Sequence, residues 1–441
     1  MHHISPSSPP LPGRSHPQQN RCRAWLAWAL AQLQVEIAEP QLVRLTQLIW
    51  STVTGQGRLF HNVEHILRLA EGEDPLSTLA ALFHDSIYIQ VDWGLVAEVQ
   101  PLLTPYLIWQ QGTLCLRSAA ELMQMPDSCC PTLLFGLDHP QPMPAEQFNE
   151  FLSALLAVRC LRGYLSAAQL AEIVVAIEAS IPFRSSLQQV PSEHLYERLS
   201  QANRQLQLQM SAEQLENAIH RAVAFANQDV ESFSGADPVI FLDQTWRLLP
   251  EMNPALRQAE QYSIRDYRTA LQAMETFLQQ LKPEQIFQQF RQVPNPLTCQ
   301  AWRDRAAHNL DTALLYLESK LVALAVLEAL ASWKEQQRPI AHWLGSVEQS
   351  ASWEERFTLP ELSQEGRTPV EQQVLQIAEY GRTRPCQFDL MKSPFAAYLI
   401  HSLGFDKIVE LRDDAEAFFN GELSNQELLV KIPCLGPAFE L

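Results

Sequence analysis

From Arg23 onward apolar side chains recur at helical spacing: Leu26, Leu30, Leu33 and Ile37, then, after the break at Glu39-Pro40, Leu42, Leu45 and Ile49. The pattern predicts two amphipathic helices. It continues through residues 152–161, 168–177, 195–206 and 212–226, with turn signals such as Pro140-Gln141-Pro142 and Ile181-Pro182 between the runs. Alternation of period two is nearly absent. The one stretch that fits a strand, residues 173–177, continues the spacing begun at Ala168 and reads as a buried helix. An all-α fold is expected.

The clearest break is Ser234-Gly235-Ala236-Asp237-Pro238, where a small polar cluster ends the helical run and proline forbids its simple continuation. It sets a first domain at residues 23–236. Beyond it, residues 262–281 and 311–333 read as helices, the latter with Leu314, Leu317, Leu321 and Leu324 along one stripe. The loop Val293-Pro294-Asn295-Pro296 separates them, and residues 237–334 form a second helical domain. Residues 335–441, with Trp343, Trp353 and a helix-like run over 369–380, are less regular and read as a C-terminal helical appendix.

Composition narrows the function classes. The chain has 441 residues, 46% hydrophobic and 19% charged, enough for two or three folded units with a sizeable core. A formal charge of -18 and the lack of a basic patch oppose binding to a phosphate backbone, so nucleic acid is not an expected partner. The longest apolar runs, such as residues 321–330, fall short of the roughly 20 residues that a membrane span needs. Residues 1–22, rich in Pro, Ser and Gln and without a signal-type apolar core, read as a disordered leader, and a cytoplasmic protein is expected. The eight cysteines are scattered without a Cys-x-x-Cys, which indicates reduced thiols and neither a zinc ribbon nor a redox motif.

Chemistry concentrates in Arg58-Leu59-Phe60-His61-Asn62-Val63-Glu64-His65, followed after an apolar run by Phe83-His84-Asp85. Two histidines four residues apart on a helix share one face. His84 and Asp85 end a buried helical run, so that imidazole and carboxylate converge on a cation over the helix edge, inside apolar walls. Mixed N/O ligation with open positions suits a divalent first-row metal in a catalytic rather than a structural site.

These two motifs, in this order, resemble the HD superfamily of metal-dependent phosphohydrolases, in particular members with a Tyr-His-Asn-x-x-His signature, including cyclic-nucleotide phosphodiesterases. The resemblance covers residues 40–236, with Phe60 in place of the usual Tyr. It implies an HD-type helical bundle in which His65, His84 and Asp85 bind the metal (Mn, Mg, Ni, Fe or Zn) and His61 protonates the leaving oxygen. The family closes its site with an Asp on a later helix; Asp229 in Ala226-Asn227-Gln228-Asp229-Val230 is the preferred match and Asp138 the competitor. His84-Asp85 is followed by Ser86-Ile87-Tyr88, without the further histidine of the phosphodiesterases, so one ion is expected. Arg58, Asn62 and Arg184 are candidates for substrate binding, the guanidinium groups because they pair well with phosphate oxygens.

The expected activity is hydrolysis of a small phosphorylated substrate, a nucleotide or cyclic nucleotide for choice, with Asp85 orienting the attacking water and His61 as general acid. The alternative is a catalytically inert HD-type module that binds metal or nucleotide and uses the C-terminal helices to dock a partner. A di-iron oxygenase ranks last, because the additional ligands it needs have no convincing candidates.

Overall fold

The computed structural model describes residues 16–72, 74–181, 191–258, 261–331, 367–384, 389 and 391–435. The fold is predominantly α-helical, and no described helix is long and apolar enough to cross a membrane. The chain divides into two compact units, residues 1–55, 61–180 and 195–225 in the first and 56–60, 181–194 and 226–441 in the second. The first therefore ends eleven residues before the edge expected at 236, within a helix.

The first unit carries α1 (Pro17–Gln32), α2 (Glu39–Val53), α3 (Val63–Ala70), α4 (Pro75–Phe83), the short α5 (Ile89–Asp92), α6 (Gln100–Leu103), α7 (Ala119–Leu122), α8 (Pro126–Phe135), α9 (Asn149–Leu161) and α10 (Ala167–Ala179). The helices α11 (Pro191–Gln205) and α12 (Ala212–Asp229) contribute most of their length to it. At its centre is α4, whose Leu76, Thr78, Leu79, Ala80, Ala81, Leu82 and Phe83 are all buried. A helix without a polar face must be enclosed, and α1, α3, α9 and α10 pack around it. Asp74 starts it, its carboxylate accepting from the Ser77 amide at 2.7 Å, and Pro75 fills the first turn, where no amide is needed.

Two sequence expectations change here. Residues 17–22, expected in the leader, are the first turns of α1, and Cys22 is fully buried. The glutamines and asparagine of that turn masked an apolar stripe that continues through Leu26, Ala29 and Leu30. The unit also holds a small antiparallel sheet in the order β1 (Leu107–Gln110), β2 (Thr113–Leu116), β3 (Met143–Pro144), with Leu107 opposite Leu116 and Gln110 opposite Thr113. Gln111 and Gly112 connect β1 to β2 with φ of 50° and 83°, the pair of positive values that a two-residue hairpin turn of this hand demands.

The second unit is built around α17 (Pro296–Leu330), a 35-residue helix whose C-terminal half is buried nearly all round. Against it pack α13 (Pro238–Trp246), α15 (Ile264–Gln280), α16 (Pro283–Ile286), α18 (Pro369–Tyr380), α19 (Pro394–Leu403), α20 (Phe405–Phe419) and α21 (Asn425–Val430); α14 (Leu249–Met252) packs on α15. One cluster of buried side chains runs from Val230 to Leu435. Residues 367–435 thus share a core with 238–331 and do not form a separate appendix; the expected edge at 334 lies outside the described residues.

Within that core sits a charged network. Asp389 accepts hydrogen bonds from Trp246 Nε1 at 2.7 Å and Lys320 Nζ at 3.3 Å, and its carboxylate lies 3.3 Å from Arg382 Nη2. Lys320 Nζ also donates to Ser393 Oγ and stands 5.4–5.7 Å from the ring centroids of Trp246, Tyr267 and Tyr316. Asp243 accepts from the amides of Thr383 and Arg384. Charges so enclosed persist only when paired and hydrogen-bonded.

Candidate metal centre

The centre is assembled at helix ends. Asn62 caps α3: its Oδ1 accepts from the amides of Glu64 and His65 at 2.9 and 3.2 Å. This fixes where the helix begins, and therefore where His65, on its first turn, is aimed. His84 occupies the C-cap of α4, and its Nδ1 donates to the carbonyl of Ala81 at 2.9 Å. A carbonyl can only accept, so Nδ1 carries the proton and neutral His84 presents the Nε2 lone pair to the site.

Three basic atoms meet there. His65 Nε2 lies 3.2 Å from His84 Nε2, and Asp85 Oδ2 lies 3.3 Å from the former and 3.0 Å from the latter. Asp229, the preferred fourth ligand, is the last residue of α12. Phe225, one turn earlier on the same helix face, sets its ring edge-on to His84 with centroids 5.7 Å apart. His65 and His84 are buried, whereas Asp85 and Asp229 are part-exposed. Burial alone would disfavour the ionised form of Asp85, but in the metal-free cluster, where the imidazoles carry charge, His84 and His61, with hydrogen bonds from His65 and His84, outweigh it and hold the carboxyl well below the usual carboxylate range; the neutral, lone-pair form of His84 is the one a bound cation would require.

The donor set fits a divalent ion. At metal–ligand bonds of about 2.0–2.2 Å, donors on adjacent vertices of a tetrahedron or octahedron stand about 3.0–3.5 Å apart, which matches the separations among His65, His84 and Asp85. Arg68 bears on this fit: its Nη2 approaches His65 Nδ1 at 3.4 Å. A guanidinium only donates, so this contact favours the tautomer with the proton on Nε2, and a cation at Nε2 requires the proton on Nδ1 and the guanidinium turned aside.

No protein-family model, curated protein or solved structure matches this chain.

Other expected site residues are distributed as follows. His61 precedes α3 rather than lying on it, because Asn62 takes the cap; its ring is nonetheless 6.1 Å from that of His65 and packs edge-to-face on Tyr88 at 4.9 Å. The Asn62 amide oxygen caps the helix, which gives that residue a positioning task. Arg58 is buried, with 4% exposure. Asp138 is exposed in the loop after α8. Arg184 lies outside the described residues. Glu178, in α10, is buried and paired with Arg198 at 2.7 Å.

Sequence reasoning missed three neighbours. Arg68 and Tyr88 flank the motifs and were open to notice from spacing alone. Glu251, whose Oε1 accepts from the amides of Leu59 and Phe60 at 2.8 and 2.7 Å, has no signal in the sequence, because nothing local announces a carboxylate that fixes a backbone so far away.

Proposed function

We propose that this protein is a metal-dependent phosphohydrolase with an HD-type helical bundle in its first unit, acting on a small phosphoester. The observation that carries the reading is the convergence of His65 Nε2, His84 Nε2 and Asp85 Oδ2 at 3.0–3.3 Å, with Asp229 as the proposed fourth ligand. These four residues would hold one divalent ion, which supplies Lewis acidity toward a phosphoryl oxygen and makes water a usable nucleophile near neutral pH.

The chain's own residues supply the rest. Asp85 offers one part-exposed carboxylate edge from which to orient the attacking water by accepting its hydrogen bond. His61, held edge-on by Tyr88, is the group on the open side able to carry a proton to the departing oxygen. As the new P–O bond to water forms and the bond to the leaving group breaks, that proton neutralises the alkoxide; general acid help of this kind contributes about 10²–10⁴-fold. A cytoplasmic setting belongs to the same proposal, and the seven described cysteines, all unpaired thiols, are compatible with it.

Elemental analysis of the wild type, Asp85→Ala, His84→Ala and His61→Ala, with a phosphoester screen in Mn²⁺, Mg²⁺ or Ni²⁺, tests this. The reading expects both ligand variants to lose metal and activity, and His61→Ala to keep metal with turnover reduced 10²-fold or more. Undiminished metal in both ligand variants sinks the metal centre, and a metal-loaded wild type inert to every ester indicates a binding module instead.

A further inference from the structure

We propose that Tyr88 is a positioning residue for His61, and that Ser153 and Asn149 of α9 fix the frame from which its ring acts. This rests on the phosphohydrolase reading above and says what orients its acid.

His61 needs a guide from outside its own element. It lies one residue before the Asn62 cap, so the helical backbone of α3 does not set its direction. An imidazole on such a segment has several staggered χ1 wells open to it. Proton transfer demands a heavy-atom approach of about 2.6–3.2 Å, a tolerance that a change of rotamer exceeds. The ring of His61 meets two others: Tyr88, with centroids 4.9 Å apart and planes at 88°, and His65, at 6.1 Å and 80°. The nearer contact, with Tyr88, has the edge-to-face geometry in which aromatic pairs attract.

Tyr88 is itself held on both sides. The Ile87 amide donates to Ser153 Oγ at 3.0 Å and the Ile89 amide to Asn149 Oδ1 at 3.1 Å. Ser153 and Asn149 stand four apart on α9 and share one face, and the two amides that they take bracket the tyrosine. Asn149 Nδ2 donates to Gln90 Oε1 at 2.8 Å and Gln90 Nε2 to the Glu146 carbonyl at 2.7 Å, which extends the bracket by one residue. Ile87 and Ser153 are buried, so loss of the hydroxyl would strand a buried amide. The short α5, which begins at Ile89, is a single turn and has too few bonds to hold this segment by itself. With its backbone pinned to α9, Tyr88 offers His61 a fixed ring and selects the imidazole rotamer. As the bond from phosphorus to the leaving oxygen breaks, His61 passes its proton to that oxygen, and Tyr88 sets how often the imidazole is in place to do so.

The test compares wild type, Tyr88→Leu, Tyr88→Phe and Asn149→Ala, each loaded with Mn²⁺, on two classes of ester. Glycerol phosphate and glycerophosphocholine release a strongly basic alkoxide that needs the proton; p-nitrophenyl phosphate and bis(p-nitrophenyl) phosphate release a weakly basic phenolate that does not. Loss of an aromatic pair worth about 0.5–1.5 kcal/mol predicts a fall in kcat of about 2- to 12-fold for Tyr88→Leu on the alkyl esters. KM, bound manganese and the p-nitrophenyl rates should hold, and Tyr88→Phe, which keeps the ring, should recover most of the loss. Asn149→Ala should show the same pattern more weakly, and Tyr88→Leu added to His61→Ala should cost nothing further. An absent loss, an equal loss on both classes, a Tyr88→Phe protein as impaired as Tyr88→Leu, or a further loss in the His61→Ala background overturns this inference alone. An Asn149→Ala protein identical to the wild type strikes out the α9 frame. If His61→Ala does not distinguish the two classes, the acid role falls and the task of Tyr88 with it, whereas a metal-loaded wild type inert to all four esters overturns the phosphohydrolase reading.

Discussion

Replacing Asp389 by Asn in the core of the second unit tests the energetics of that unit most directly. The carboxylate receives Trp246 Nε1 and Lys320 Nζ and faces Arg382, and neither cation is more than 6% exposed. Asparagine keeps the volume and one acceptor but removes the negative charge that faces Lys320 and Arg382. Removal of one partner of a buried pair costs about 3–5 kcal/mol, chiefly through the charge left behind. Domains are stable by only about 5–15 kcal/mol, so the second unit should approach the edge of unfolding. At about 2–4 °C per kcal/mol for a unit of this size, its transition falls by about 6–20 °C. Because two units need not melt together, the assay is amide hydrogen exchange of α17 peptides beside calorimetry. The double variant Lys320→Met with Asp389→Asn removes the ammonium as well as the carboxylate and should recover at least about 1 kcal/mol of the loss. An Asp389→Asn protein within about 1 kcal/mol of the wild type, or a double variant no better than Asp389→Asn, would refute the reasoning.

Three further outcomes follow from the first unit. Arg68→Gln removes the donor facing His65 Nδ1 and offers a carbonyl in its place, so Mn²⁺ affinity should rise, within the 10- to 100-fold range typical of groups behind metal ligands; titration with a fluorescent chelator checks this, and unchanged or weaker binding counts against the tautomer argument. Burial opposes ionisation of Asp127, but hydrogen bonds from Arg159 and Arg162, the Arg162 charge and the Tyr106 hydroxyl prevail and lower its pKa. A carboxyl lowered on folding stabilises the protein above its unfolded pKa of about 3.9 and loses that contribution as pH falls through the folded value. The deficit of Asp127→Asn relative to wild type, measured by denaturant unfolding, should therefore be full at pH 7 and shrink below pH 4; a constant deficit would contradict the assignment. Burial pushes the thiols of Cys22, Cys130 and Cys160 up to about 12, with Cys129 adding to the effect at Cys130. Peptide-mapped labelling at pH 8 should find all three sluggish until the chain is unfolded, and rapid native labelling of any of them would show that its thiolate is accessible.

Helices with an unbroken apolar period were legible from the chain, and α9, α10, α12, α15 and α18 lie where their spacing put them. The local signals that bring three side chains of the candidate site together were legible too: His65 and His84 lie side by side, with Asp85 against both. What stayed hidden depends on contacts between distant segments or on competition for one group. Asn62 has a side chain suited to a ligand and to a cap, and only the φ of the following residues decides which demand it meets. The β1–β2 hairpin turns on Gln-Gly rather than the stronger Asn-Gly signal, and its short strands lack a long alternation. Asp389, isolated between Phe388 and Leu390 in the sequence, has its meaning from Lys320 on a helix nearly seventy residues earlier.

The metal centre also has a polarity that its residues do not announce individually. His84 caps the C-terminus of α4, so that helix directs its carbonyl end toward the two histidines and the Asp85 carboxylate. Such ends carry partial negative charge, worth about 0.3–1 kcal/mol to a nearby cation, and they repel a phosphate to a similar degree. An empty centre is thus a cation trap and an anion barrier. On the proposed function, a bound divalent ion would offset that repulsion and favour the binding of a phosphoester. By thermodynamic linkage the ester would then tighten the ion by the same factor.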